Sequence, residues 1–201
     1  MLSLSPDYRS YIGETDKLRE LLSHLTKLDP PIRKLVAEIT LLRLFDLLVN
    51  FMSTLSAKVA CGTRYLDNTP PVLLARASSM KQAKYFFERR GRGGTIHNLR
   101  WTKARYIKEN IKYVVGSNDN LVMIVDRYGS EIEEIRRIRN RIAHNNENAR
   151  KKYRDIVKRH YGAHLNFIGP GTLLLTPKKS PCLLEQYIVK SRIIVKDLTK
   201  T

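Results

Sequence analysis

Residues Arg136 to Asn146 read RRIRNRIAHNN, and the pattern leading into them decides the fold. Ile132, Ile135, Ile138 and Ile142 recur at three- and four-residue steps, the buried stripe of a 3.6-residue period. Ser130 followed three residues later by Glu133 matches a capping box, so the helix is expected to begin there. Asn145, Asn146 and Asn148 compete with the backbone for hydrogen bonds and favour an ending near Ala143. Beside the stripe stand Arg139, Asn140 and His144. They combine a permanently charged fork suited to phosphate, a side-chain amide and the one side chain that titrates near neutral pH.

Upstream, Leu18, Leu21, Leu22, Leu25 and Leu28 predict a first helix from about Pro6 to Leu28, stopped by Asp29-Pro30-Pro31. The prolines also open the next helix, expected from Ile32 to about Ala60, because proline is tolerated in a first turn. Leu35, Ile39, Leu42, Phe45, Leu48, Met52 and Leu55 make it apolar over more than half its circumference, which predicts a central place in a bundle. Asp46, in its middle, reads either as a charge at the rim of the stripe or as a carboxylate turned toward the motif. Glu38, Arg43 and Asp46 interrupt the apolar run, which is therefore a core helix and not a membrane span.

Cys61 to Pro71 is rich in turn residues, and Val72 to about Arg90 returns to a helical pattern. Glu88 to Arg100 (ERRGRGGTIHNLR) interleaves glycine with arginine but lacks the G-x-x-x-x-G-K-S/T phosphate loop. It reads as a flexible basic loop or an RNA contact, with His97 and Trp101 placed to stack a base and Trp101 equally suited to the core. A short helix follows over Thr102 to Val115, and Leu121 to Tyr128 leads into the motif.

Downstream, Ala149 to Tyr161 is helical and carries Arg150, Lys151, Lys152, Arg154, Lys158 and Arg159, a solvated face or a surface that tracks a nucleic-acid backbone. His160 and His164 have a metal-ligand spacing, but Gly162 lies between them and no carboxylate is near in sequence, so no metal site is expected. Leu165 to Leu175 carries turn signals and reads as a short extended segment near residue 170. Ser180-Pro181 predicts the N-cap and first position of a closing helix built on Leu184, Tyr187, Ile188, Ile194, Val195 and Leu198. The expected fold is all-α: one domain of 201 residues, a helical bundle around a long central helix, with its core over about 30–161 and a C-terminal extension over 162–201.

Charge speaks to partners rather than to fold. Thirty-seven Lys and Arg against 19 Asp and Glu leave a net +18. Polyanions are the first candidates for such an excess, anionic membrane the second and an acidic partner protein the third. The N-terminal residues show no basic segment followed by an apolar one, and Cys61 and Cys182 stand far apart, so reduced thiols and a cytoplasmic location are expected.

RNRIAH resembles the Arg-x4-His signature of the HEPN (higher eukaryotes and prokaryotes nucleotide-binding) superfamily. The resemblance extends loosely from the second helix to about Tyr161 and implies an HEPN-like bundle with metal-independent endoribonuclease activity. It implies Arg139 and His144 as catalytic residues with Asn140 in support, no cofactor, and a homodimer acting on RNA in a toxin-like or antiviral defence role, with an antitoxin or defence-system partner. Arg136, Arg141, Lys151, Lys152 and Arg154 are the expected RNA contacts, and no membrane partner is expected. HEPN toxins paired with nucleotidyltransferase antitoxins carry a tyrosine where this chain has Asn146, so that mode of control is not expected. Size and the long apolar helix look more like the free-standing RiboL-PSP type.

In chemical terms, His144 is an acid or base for the 2′-hydroxyl and the 5′-oxygen, and Arg139 is a bidentate clamp on the non-bridging oxygens. The product would be a 2′,3′-cyclic phosphate. Five residues separate Arg139 from His144 by roughly 140° on an ideal helix. They converge only if the helix ends near Ala143 or two motifs meet across a two-fold axis. The competing readings are a non-catalytic RNA- or nucleotide-binding module and a structural role. In the last, Arg139 pairs with Glu133 or Glu134 while His144 caps the helix.

Overall fold

The helical periods of the sequence become helices in a computed structural model, which describes residues 2–163 and 165–200. In chain order these are α1 (Ser5–His24), continued by a 3-10 turn (Leu25–Lys27), α2 (Pro30–Ala60), α3 (Met80–Arg89), α4 (Ala104–Ile111), α5 (Asn120–Arg127), α6 (Gly129–Ala143), α7 (Glu147–Tyr161), α8 (Pro170–Leu174) and α9 (Leu183–Thr199). Among the described residues there is no strand, only one antiparallel bridge between Leu73 and Val115. The fold is all-α, as the sequence predicts. Among the described residues no helix is long and apolar enough to cross a membrane.

The chain forms two compact units, each assembled from separate stretches. The first comprises Met1–Ile12, Leu48–Ile132 and Arg192–Thr201; the second comprises Gly13–Leu47 and Glu133–Ser191. Residues past 162 are built into both units rather than appended, and Leu184, Ile188, Ile194, Val195 and Leu198 are fully buried.

In the first unit, Asp119 ties loop to helix. Its buried carboxylate caps α5 by accepting from Leu121 N–H at 2.9 Å, and it also accepts from Tyr65 Oη at 2.5 Å and Val72 N–H at 2.7 Å. Burial and the neighbouring Asp119 charge push the Tyr65 phenol far above its usual range. The helix expected over Val72 to Arg90 begins only at Met80. Residues 72–75 are instead drawn into backbone pairing, with Gly116 N–H donating to Val72 O and Leu74 N–H to Val114 O. A Cβ at Gly116 would meet Val72 Cγ1 at 2.8 Å, so glycine permits this approach. Ser79, accepting from Gln82 N–H, is the N-cap that starts α3. The same pairing ends α4 at Ile111, short of the expected Val115.

In the second unit, the N-terminal half of α2 is one-sided. Ala37, Leu41, Leu44 and Phe45 are buried, but Ile32, Leu35 and Ile39 are 49%, 56% and 54% exposed. The expectation of a wholly central helix holds for its C-terminal half only. Asp46 is exposed, as a charge at the rim of the stripe would be, and it is not among the residues that line the cleft beside His144. The extended segment expected near residue 170 is α8, because Gly169 and Pro170 act as N-cap and first helical residue instead of a turn. Gly171 then packs on α2: its N–H donates to Glu38 Oε1 at 2.8 Å, and a Cβ there would lie 2.6 Å from Lys34 O. The closing helix starts at Leu183, two residues beyond the expected Pro181, which follows Ser180 through a cis peptide.

Candidate nucleic-acid cleft

The motif helix is held by its isoleucines. Ile132, Ile135 and Ile138 are at most 2% exposed, each worth roughly 1.5–3 kcal/mol of burial, and Ile142 is half-buried. The expected capping box does not form. The helix starts at Gly129, Ser130 Oγ donates to Glu131, and Glu133 turns forward to accept both Nε and Nη2 of Arg136 at 2.7 Å. Glu133 also accepts from Arg137 Nε at 3.0 Å.

The helix ends at Ala143, where the asparagines predicted it. His144 N–H still donates to Asn140 O at 2.9 Å, so the histidine stands just past the last turn with its ring exposed. Among the described residues that ring makes no hydrogen bond. Asn146 then opens α7 by accepting from Ala149 N–H at 2.9 Å, and Gly162 closes it at φ 76°. Replacing this cap should be felt: Asn146→Ala is expected to lower stability by about 1 kcal/mol and Asn146→Asp to retain it, read from urea midpoints.

Arg136, Arg137, Asn140, His144, Asn146 and Lys152 line one cleft of about 120 Å³. Its charge is unequal. Arg136 is 8% exposed and committed to Glu133, so it is a wall residue rather than the free RNA contact expected from the sequence. Lys152 is half-buried and has no carboxylate partner among the described residues. The expected contacts Arg141, Lys151 and Arg154 lie outside the lining. Arg141 shares Asn145 Oδ1 with Arg150, Lys151 is exposed, and Arg154 stands 3.7 Å from Glu147.

Arg139 does not line the cleft. Its guanidinium lies 6.0 Å from the centre of the Phe45 ring, and its Nη1 reaches Asn140 Oδ1 at 3.5 Å, the outer limit of a hydrogen bond. The Arg139 Nε is buried with no acceptor. A charged donor left in that state is unusual enough to need an explanation. The alternative pairing with Glu133 or Glu134 is not made, because other cations occupy both carboxylates. Asn140 thus reaches Arg139 and also lines the cleft with His144.

Sequence reading offers Glu134 only as a partner for Arg139 and misses the partners it has. Its largely buried carboxylate accepts from Tyr187 Oη at 2.5 Å, meets His160 Nε2 at 2.9 Å and pairs with Arg159. Burial alone pushes this carboxyl up, but the hydrogen bonds from His160 and Tyr187 and the charge of Arg159 outweigh it and hold the group below the usual range. Tyr187 is pushed far up by burial and by the same carboxylate. His160 is therefore a partner of Glu134; His164 lies outside the described residues. The partners stand 26 and 53 residues from Glu134, and no local pattern announces contacts of that range. No protein-family model, no curated protein and no solved structure matches the chain, so the cleft is read from its residues alone.

Proposed function

We propose that the protein is a metal-independent endoribonuclease that cuts RNA by attack of the 2′-hydroxyl on the adjacent phosphorus. The 5′-oxygen departs and a 2′,3′-cyclic phosphate remains. The observation that carries this reading is the open His144 ring beside Asn140 and Lys152 in one basic cleft, within the RNRIAH stretch that resembles HEPN ribonucleases. His144 transfers a proton at the 2′- or the 5′-oxygen. Lys152 and Arg137 hold the phosphate, and Asn140, which lines the cleft and lies 3.5 Å from Arg139 Nη1, couples the Arg139 guanidinium to it. Lys151 and Arg154 extend the positive surface along α7 for neighbouring phosphates. On this reading the protein acts in the cytoplasm, in a toxin-like or defence role.

One histidine lacks its acid–base counterpart, and a second copy would supply it. The exposed Ile32, Leu35 and Ile39 form a stripe at helical spacing of the kind that a partner covers, which supports a homodimer. The double variant Leu35→Glu/Ile39→Glu is expected to convert a dimer to a monomer in light scattering; an unchanged mass would remove this face from the interface.

The deciding experiment is incubation of total RNA with purified protein in excess EDTA, wild type beside His144→Ala. Discrete fragments with cyclic phosphate ends, lost in the variant, are expected. A second reading, a non-catalytic RNA-binding module, is favoured by one observation: Arg139 is not among the residues lining the cleft. It predicts RNA retention without cleavage, weakened by Lys152→Ala and unaffected by His144→Ala.

A further inference from the structure

A second cleft, in the first unit, is larger, at about 530 Å³, within the range of sites that enclose small ligands. It opens between the C-terminal half of α2, α3 and the segment that the sequence marks as a flexible basic loop. That segment is tied down. Arg92 Nε donates to Phe87 O at 2.9 Å, and its Nη2 reaches the carbonyls of Glu109 and Asn110. Ile96 N–H donates to Glu88 O at 2.9 Å, and Asn110 Nδ2 donates to Arg100 O at 2.8 Å. Arg92 also stands over the Tyr113 ring at 5.5 Å, so it staples the loop and is not available to a ligand. These bonds fix the walls of the cleft.

The lining has two kinds of surface. Phe87 and Trp101 meet edge to face with ring centres 5.7 Å apart, which fixes the indole from one side while leaving it half-exposed at the cleft. Around them stand Lys84, Arg100, Asn98 and Thr54, and no acidic residue lines the cleft. Lys84 is 71% exposed and makes a long ion pair, at 3.9 Å, with Glu88, which lies outside the lining. An aromatic floor selects a flat heterocycle, the amide and hydroxyl suit its polar edge, and two cations in a lining without carboxylates suit a phosphate.

We propose that this cleft binds a nucleotide unit, its base against Trp101 and its phosphate between Lys84 and Arg100. The shared chemistry has two sources, a free mononucleotide or an unstacked residue of an RNA strand. The inference does not depend on the nuclease reading, since it uses none of the motif residues.

Trp101 is the only tryptophan in the chain, so its fluorescence reports on this cleft alone. The full-length His144→Ala protein, chosen so that no oligonucleotide is cut, is titrated with each of the four nucleoside 5′-monophosphates, with a short single-stranded oligoadenylate and with ribose 5-phosphate. Free N-acetyltryptophanamide corrects for absorption. Saturable quenching is expected from a mononucleotide or the oligonucleotide and not from ribose 5-phosphate. Lys84→Gln/Arg100→Gln should weaken it by about tenfold, as should a rise in salt, with the unliganded spectrum unchanged. Saturation by a mononucleotide identifies the free ligand as a source; saturation by the oligonucleotide alone identifies the strand. Absence of saturable quenching by any nucleotide overturns the proposal. So does equal quenching in the double variant, or by ribose 5-phosphate.

Discussion

His144→Ala is expected to lower metal-independent RNA cleavage by about 10²- to 10⁴-fold, the range that a positioned acid or base contributes. The substitution is clean. The ring is exposed and makes no hydrogen bond among the described residues, so the change in stability should stay within about 0.5 kcal/mol. Loss of activity with an unchanged melting curve would therefore report chemistry and not unfolding. Lys152→Ala, which removes one cation from the cleft lining, should raise the RNA concentration needed for half-maximal rate while sparing most of the maximal rate. Arg139 requires a different design. Its side chain packs against Phe45, so Arg139→Ala removes apolar contact along with charge. Arg139→Lys keeps the charge and most of the stem but loses the planar fork. A variant that melts like wild type yet cuts at least about tenfold more slowly would place the Arg139 fork in the reaction. Full activity in His144→Ala would sink the catalytic reading whatever Arg139 does.

What the sequence disclosed and what it hid divide along the distance between interacting residues. The isoleucine period of α6, its end at Ala143 and the proline-marked boundary between α1 and α2 are local features, and each appears where the sequence predicts it. So does the juxtaposition of Asn140 and His144, which needs only one helical turn. The departures come from contacts made far along the chain. Residues 72–75 carry an adequate helical pattern but find backbone partners at 114–116, and those bonds override propensity. Pro170 reads as a turn until Gly171 is seen against Lys34 and Glu38 on α2. Ser79 and Gln82, at the start of α3, have the same spacing as Ser130 and Glu133; the first pair caps its helix and the second does not. What decides between them is whether the third residue finds a stronger partner, as Glu133 does in Arg136 and Arg137. Arg139 stands between the two cases. Its place on the helix is legible, but the side toward which it turns depends on Phe45, and its empty Nε is visible only in three dimensions.

Glu134→Ala should be among the most destabilising single changes in the second unit, at about 2–4 kcal/mol. The carboxylate joins α6 to α7 through Arg159 and His160 and to α9 through Tyr187, and its side chain is only 13% exposed. Removing it leaves the buried Tyr187 hydroxyl and the His160 Nε2 without their acceptor, and an unsatisfied buried donor costs more than the bond was worth. For a chain of this length the melting midpoint should fall by roughly 5–15 °C, followed by far-ultraviolet circular dichroism. Glu134→Gln separates charge from hydrogen bonding, because the amide oxygen can still accept from Tyr187 while the pairing with Arg159 is lost; about half the effect should remain. The sign of the pH dependence follows from the depressed carboxyl. A group held lower in the folded chain than its unfolded value of about 4.3 stabilises fully above that value, and the contribution disappears as pH falls through the folded value. The gap between wild type and Glu134→Gln should therefore be widest near neutral pH and close progressively below about pH 4. A gap that stayed constant down to pH 3 would mean that the ionised carboxylate adds nothing beyond its hydrogen bond to Tyr187.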